Sequence, residues 1–185
     1  MPEPLGSRQG FSGRVIKLDI EEWEGHPPYE VVRHPGAAAV LAIRPDQQVI
    51  LVKQFRPPVR DLLTEIPAGI LDVEGEDALT CASRELLEET GYGHDAIEFL
   101  GGYYASAGFT DEYVHLFWAR AKAEPVGPPE EGIEVMLMPF ERMVAAARED
   151  GRQKLHQQLE QLTGSLKPEP ASANEIILRL RAGRN

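Results

Sequence analysis

The residues best suited to chemistry in this sequence lie in "AGILDVEGEDALTCASRELLEETGY", Ala68 to Tyr92, where Glu85, Glu88 and Glu89 crowd one helix-length segment that Gly91 closes. Periodicity predicts a helix over Asp77 to Thr90, and a glycine just past the last periodic residue is the usual stop. On a wheel of about 100° per residue, Leu79, Ala82 and Leu86 fall within roughly 60° of one another and form the expected core-facing stripe. Glu85 and Glu89 lie one turn apart on the flank of that stripe, so their carboxylates should run along the protein body and not straight into solvent. Arg84 and Glu88, at i and i+4 on the more outward side, can pair, which leaves Glu85 and Glu89 without a cation from the helix itself. A Glu-rich run is usually a solvated face. Here two like charges on a half-buried flank repel, and a divalent cation that accepts both removes the difficulty. Oxygen-only ligands favour Mg2+ or Mn2+ over Zn2+.

Other elements must hold that helix in place. "VIKLDI" (Val15 to Ile20) and "YEVVRH" (Tyr29 to His34) read as two arms of an N-terminal sheet joined by the turn-rich "EGHPP". "AAAVLAI" (Ala37 to Ile43) and "QVILVKQF" (Gln48 to Phe55) read as a buried hairpin around Pro45 and Asp46. Further strands are expected at Leu62 to Ile66, Ile97 to Tyr104, Tyr113 to Ala121 and Gly132 to Met138, too many for a helical bundle, so a mixed sheet is expected. Helical periodicity recurs over residues 140–150 and 153–162, with a last helix expected over 173–182, while residues 1–10 and 183–185 read as mobile tails. These readings divide the chain into N-terminal strands at 1–35, a main domain at 36–150 and a helical extension at 151–185.

Composition bounds the partners. A chain of 185 residues is long enough for one well-buried domain, and 42% hydrophobic with 26% charged residues is a globular composition. With 30 acidic against 19 basic residues the net charge is -11, which argues against a nucleic-acid backbone as the main partner, because phosphates need clustered Lys and Arg. The longest apolar run is too short to cross a bilayer and "MPEPLGSRQG" has no apolar signal-peptide core, so no membrane partner and a cytoplasmic location are expected. The single cysteine, Cys81, has no second Cys or His at metal-ligand spacing and reads as a half-buried thiol. His26, His34, His94, His115 and His156 lack partners at catalytic spacing and read as polar or packed side chains. Phe117 and Trp118 read as core.

The run Glu76, Arg84, Glu85, Leu86, Glu88, Glu89, Gly91 resembles the second half of the Nudix box, the signature of hydrolases that cut nucleoside diphosphates linked to another moiety. The box normally sets five residues between its opening glycine and first glutamate; Gly69 to Glu76 has six, the extra one falling in the loop ahead of the helix. "VKQFRPPV", "TEIPAGILD" and "GGYYASAGFTDEYVHLFWA" extend the resemblance to the ADP-ribose pyrophosphatase branch over roughly residues 14 to 140. The resemblance implies an α/β (α+β) fold, a Nudix-like αβα sandwich with a mixed central sheet and an N-terminal antiparallel sheet whose strands are exchanged across a homodimer. It also implies roles. Glu85 and Glu89, with the carbonyl of Ala68, match metal ligands for Mg2+ or Mn2+, and Glu88 a further acidic position near the metals. Arg56 matches an arginine that contacts substrate, Tyr29 and Glu30 fall where the adenine end is held, with Trp23 close by, and Ser106, Gly108 and Glu112 match positions around the terminal ribose. Many ADP-ribose hydrolases read Ser-Pro-Gly at that loop; this chain reads Ser106, Ala107, Gly108. In "PPEEGIEVMLMP" the resemblance implies a catalytic or additional metal-binding glutamate, for which Glu131 is chosen over Glu130 and Glu134. The implied reaction is metal-dependent hydrolysis of a pyrophosphate bond in ADP-ribose or a related ADP-sugar, giving AMP and a sugar phosphate. The competing readings are a Nudix hydrolase for a GDP-sugar, NADH or a dinucleoside polyphosphate, and a non-catalytic module that senses ADP-ribose; against the latter, the box glutamates are all kept.

Overall fold

In the computed structural model the described residues are 3–148. The chain divides into two units at Phe140 and Glu141. Of the second, only residues 141–148 are described, and they continue a helix that starts at residue 140. The helices expected over 153–162 and 173–182 lie outside the described residues.

Two sheets build the first unit. β1 (Gly6–Ser12), β2 (Lys17–Glu22) and β3 (Tyr29–Arg33) form a three-stranded antiparallel sheet in that order. Two of these strands are the expected N-terminal arms. The first is a correction, because residues 6–10 belong to a strand and not to a mobile tail. "GSRQGFS" has neither alternation nor an apolar run, and its side chains are almost all exposed. It becomes a strand through main-chain pairing with β2, from Gly6 opposite Glu22 to Ser12 opposite Lys17.

The second sheet is mixed, as expected. β4 (Ala37–Ile43), buried along most of its length, runs parallel to β9 (Tyr113–Ala121) from Ala37 opposite Val114 to Ile43 opposite Arg120. β9 pairs antiparallel with β8 (His94–Tyr104). β5 (Gln48–Arg56) leaves β4 almost at once: the two pair only at Ile43 and Val49. Beyond that point β5 takes β6 (Asp61–Glu65) on one edge and β10 (Glu134–Pro139) on the other. The edge of β4 that β5 abandons is taken by β7 (Ala68–Ile70), with Ala39 opposite Ala68. At three residues β7 is too short to announce itself in sequence, yet it brings Ala68 and Gly69 beneath the helix.

That helix, α1 (Ala78–Thr90), packs on β4 and β7. Asp77 caps it, its Oδ1 accepting the Thr80 amide at 2.8 Å, and this bond holds the Asp77 carboxyl below the usual carboxylate range. The buried face is not the expected stripe. Cys81, Ala82 and Leu86 are fully buried beside Val40, Ile50 and Phe117, whereas Leu79 is 44% exposed. On the wheel the buried residues centre on Glu89, roughly 80° from Leu79. Glu89 therefore lies within the buried face and not on its flank, and the Cys81 thiol is fully buried, which pushes its pKa up to about 12.

Gly91 ends the helix at φ 75°, and its amide closes on the Leu87 carbonyl at 2.8 Å. Its own carbonyl accepts the Val126 amide at 2.8 Å, which docks the segment leading to Pro128 and Glu130 onto the helix end. A Cβ at Gly91 would run into the Gly127 carbonyl oxygen. Gly91→Ala is therefore expected to destabilise the protein by more than about 1 kcal/mol, through the left-handed φ and the displaced loop together. Urea unfolding of the two proteins measures this, and an unchanged midpoint would contradict it.

Candidate active site

The acidic positions of α1 come together with β7, with the end of β5 and with the 125–131 loop. Glu89 is 5% exposed. Its Oε2 accepts the Ala68 amide at 3.0 Å and its Oε1 the Gln54 side-chain amide at 3.3 Å. Burial raises its pKa to about 7 against those two bonds, and the neighbouring Glu85 charge raises it further. Arg56 lies near enough to oppose the rise, although its own ion pair is with Glu65 at 2.8 Å.

Glu85 is held differently. A Cβ at Gly69 would overlap the Glu85 carboxylate, so the glycine leaves the space in which that carboxylate lies, and any larger residue would push the side chain elsewhere. Burial pushes the Glu85 carboxyl up as well, with Glu88 and Glu130 adding to the rise. The expectation that the helix gives Glu85 no cation is overturned: Arg84 Nη1 bonds Glu85 at 2.6 Å and also Glu88 at 2.9 Å, the expected i, i+4 pair. The same guanidinium meets Glu76 at 2.8 and 2.9 Å. Adjacent helical residues do not normally face each other, but the long Arg84 side chain folds back far enough to serve all three carboxylates. Glu76 thereby acquires a definite place despite the extra residue ahead of it, and the Arg84 contacts hold its carboxyl below the usual range.

Of the three loop glutamates, Glu130 is the one tied to the helix. Its amide donates to the Glu88 carbonyl at 2.9 Å, and its charge is felt at Glu85. Glu131 follows it in the turn and Glu134 opens β10, both exposed.

The remaining candidates gather elsewhere. Tyr29 and Glu30, at the start of β3, line a cavity of about 540 Å3 together with Trp23, Ala107 and Gly108. Trp23 and His26 flank Tyr29, with ring centroids 6.4 and 6.0 Å away, so the expectation of an aromatic near the Tyr29 end holds. The Ser106 carbonyl accepts the amides of Phe109 and Thr110 at 3.1 Å each, which turns the loop, and the Glu112 carboxylate sits 3.8 Å from His34 Nδ1. Gln54, Gly69 and Glu130 were not singled out by sequence reasoning for these contacts. Gly69 had a signal, as the glycine that opens the box, and Glu130 stood among the three loop glutamates weighed, with Glu131 chosen instead.

Among the described residues no three His, Cys, Asp or Glu side chains gather into a group that could hold a metal. What α1 and β7 offer is one buried and one half-buried carboxylate, Glu89 and Glu85, each made harder to ionise by desolvation, beside the main chain of Ala68. An all-oxygen set of that charge fits a hard divalent cation, which would restore both carboxylates to the ionised form.

In the metal-free protein this arrangement has a sign. A carboxyl whose folded pKa lies above its unfolded value of 4.5 binds a proton on folding between the two values, so it costs no stability below 4.5, costs progressively more as pH rises toward about 7, and levels off above that. For Glu89 the cost amounts to about 3 kcal/mol by pH 8, at about 1.4 kcal/mol per pKa unit. Glu76 and Asp77, whose carboxyls are held low, act only below about pH 4.5 and leave this window untouched. The metal-free protein is expected to melt lower at pH 8 than at pH 5.5, and Glu89→Gln should remove most of that difference. Calorimetry in a chelator checks both.

Comparison with known proteins agrees with these features. Residues 32–161 match the family described as NUDIX domain. Over 120 residues the chain is 44% identical to an "ADP-ribose pyrophosphatase" of Bacillus subtilis and 43% identical to a "Methanol dehydrogenase activator" of Bacillus methanolicus, each match covering 63% of this chain and 64% of the relative. The matched chain thus spans a little under two thirds of the length of these two relatives. Over 163 residues, 77% of this chain and 82% of the relative, it is 34% identical to a "GDP-mannose pyrophosphatase" of Cronobacter sakazakii. With the family match running through the paired strands, the helix of Glu85 and Glu89 and the loop of Glu130, the chain belongs to the Nudix family.

Proposed function

We propose that this protein hydrolyses the pyrophosphate bond of a nucleoside diphosphate sugar in a reaction dependent on a divalent cation, with ADP-ribose or a related ADP-sugar as the leading substrate. The observation that carries this reading is the pair of carboxylates on one helix face, Glu89 buried and Glu85 half-buried, set against Gly69 and the main chain of Ala68. Two neighbouring carboxylates held where burial opposes their ionisation fit a function that needs a cation there better than a purely structural one.

In this reading Glu85 and Glu89, with the Ala68 carbonyl, would hold Mg2+ or Mn2+, which would supply charge neutralisation at the phosphates and a more acidic water. Arg84 holds the acidic cluster in register through Glu76, Glu85 and Glu88, and Glu88 stays near the metals as a further carboxylate. Arg56 meets the phosphates. A loop carboxylate takes the proton of the water as its oxygen attacks phosphorus and the bridging P–O bond breaks. The resemblance points to Glu131 for that base; the contacts of Glu130 with Glu88 and Glu85 favour its neighbour. Tyr29 and Glu30 receive the base end, and Ser106, Gly108 and Glu112 surround the terminal sugar. With ADP-ribose the products are AMP and ribose 5-phosphate.

A second reading, a GDP-sugar substrate, is favoured by the relative named for GDP-mannose. Product analysis across ADP-ribose, ADP-glucose, GDP-mannose, NADH and a dinucleoside polyphosphate with Mg2+ separates the two. The preferred reading fails if the adenine sugars survive. Glu89→Gln should lower kcat about a hundredfold or more on whichever substrate is cut, with the fold intact by circular dichroism. Near-normal activity in that variant would remove Glu89 from the metal site.

We further infer a cytoplasmic homodimer in which the N-terminal sheet meets a second copy. Among the described residues no helix is long and apolar enough to cross a membrane. Phe11 of β1, with Leu5 and Ile16 just ahead of β1 and β2, is exposed (55%, 72% and 39% respectively), and burying these side chains against a partner would remove that apolar surface from water. Light scattering should return twice the chain mass at micromolar concentration; a fully active monomer would overturn this.

A further inference from the structure

The 105–112 loop is turned by its own bonds to the Ser106 carbonyl and is seated by the N-terminal sheet. β3 is the edge strand of that sheet, and the loop covers the edge. The Val32 amide donates to the Phe109 carbonyl at 2.7 Å and the Asp111 amide donates to the Val32 carbonyl at 3.2 Å, a short parallel rung with Thr110 opposite Val32. Side chains lock this rung. Asp111 Oδ1 accepts the His34 amide at 2.8 Å, and its Oδ2 accepts Arg33 Nη1 at 3.2 Å. Arg33 is fixed in turn by Asp19, at 3.0 Å from its Nε, and by Glu21, whose other oxygen accepts the Trp23 indole N–H at 3.1 Å. One guanidinium thus faces three carboxylates from β2 and the loop, and Glu21 is only 7% exposed. Without Arg33 these carboxylates would repel one another across the junction.

The junction is also one end of the cavity. Glu21 and Asp111 line it together with Tyr29 and Glu30 from β3 and Ala107 and Gly108 from the loop. The separation of the two walls is therefore set where Arg33 meets Asp111. We propose that Arg33 and Asp111 are a positioning pair: they seat the 105–112 loop on β3 and so fix the shape of the cavity that receives the nucleoside diphosphate sugar. The proposal rests on the functional reading above for the identity of the ligand, but the seating of the loop does not. The loop has no proline at Ala107 to stiffen it locally. Its own turn shapes it, and its position is set by the contacts with Val32, Arg33 and His34.

Asp111→Asn weakens the Arg33 contact while keeping an oxygen for the His34 amide. Arg33→Ala removes the hub but leaves Glu21 buried without its cation, so this variant is paired with Arg33→Lys, which keeps the charge and loses the fork. Two readouts decide. Amide hydrogen exchange at Val32 and Asp111 should quicken in Asp111→Asn, with the Leu86 amide of α1 unchanged, and Arg33→Lys should lie between wild type and Arg33→Ala. In steady state on the substrate found by the panel, KM should rise about five- to tenfold with kcat within about twofold, since an exposed ion pair is worth little more and the groups that do chemistry sit on α1. Unchanged exchange at Val32 and Asp111 overturns the pair. So does faster exchange with an unaltered KM, because the loop would then not shape the site. A wild-type protein that cuts no member of the panel defeats the functional reading instead, and the exchange measurement then decides the seating of the loop by itself.

Discussion

The constraint on which the rest of this structure depends is the burial of the Glu89 carboxylate in the middle of the face that α1 turns to the sheet. A buried carboxylate is tolerated only where hydrogen bonds or cations receive it. Here the receivers are the Ala68 amide and the Gln54 side chain, on two different strands. They can both reach Glu89 because β5 parts from β4 after a single rung and β7 enters the space on β4 that is left free. Gly69 follows from the same geometry, because the Glu85 carboxylate occupies the volume of a side chain at that position. The hydrophobic contacts of Cys81, Ala82 and Leu86 supply the adhesion of the helix. The carboxylates supply its register, since a rotation of α1 that buried Leu79 would strip Glu89 of both its donors.

Much of this was legible in the sequence, and what was not had local causes. The buried β4 and the alternating β9 were readable from apolar patterning alone, and β9 has the bounds expected of it. α1 was readable from its period, its Asp77 start and its Gly91 stop. β1 and β7 were not, because their pairing depends on main-chain hydrogen bonds to partners distant in sequence and not on side-chain pattern. The chemistry of Glu85 and Glu89 was legible because an i, i+4 spacing fixes proximity whatever the tertiary structure. Rotation about the helix axis was not, which is why Leu79 was assigned to the core and Glu89 to its flank. The cavity was illegible for another reason: its walls, near Tyr29 and near Gly108, are brought together by the single rung between Val32 and Thr110, which no periodicity announces.

The relatives carry names that differ in nucleotide, and the architecture of this chain separates two sets of groups that could vary independently. The acidic groups are fixed by α1, β5 and β7, whereas the cavity is fixed by β2, β3 and the 105–112 loop. Side chains of the second set can change without disturbing the packing of the first. A fold that keeps its acidic helix in one sheet's core and lines its cavity from another sheet can vary the cavity at little cost to the packing of the helix.

The two sets are nevertheless joined by a very short stretch of chain. Arg33 and the His34 amide hold Asp111 of the loop. Two residues later the Gly36 carbonyl accepts the Leu71 amide at 3.0 Å, immediately after β7. Between them the Gly36 amide donates to His34 Nδ1 at 3.1 Å, and Pro35 restricts the backbone. Gly36 itself stands at φ 93°, a left-handed value that favours glycine, where a Cβ would come within 3.1 Å of the Tyr113 carbonyl oxygen. So "RHPG" acts as a stiff four-residue spacer, with the 105–112 loop at one end and the strand beneath the acidic helix at the other. A flexible link of equal length would let the cavity drift relative to the carboxylates. Chemistry that drew on both would depend on this spacer, because groups acting on one ligand must hold their separation to about 0.5 Å.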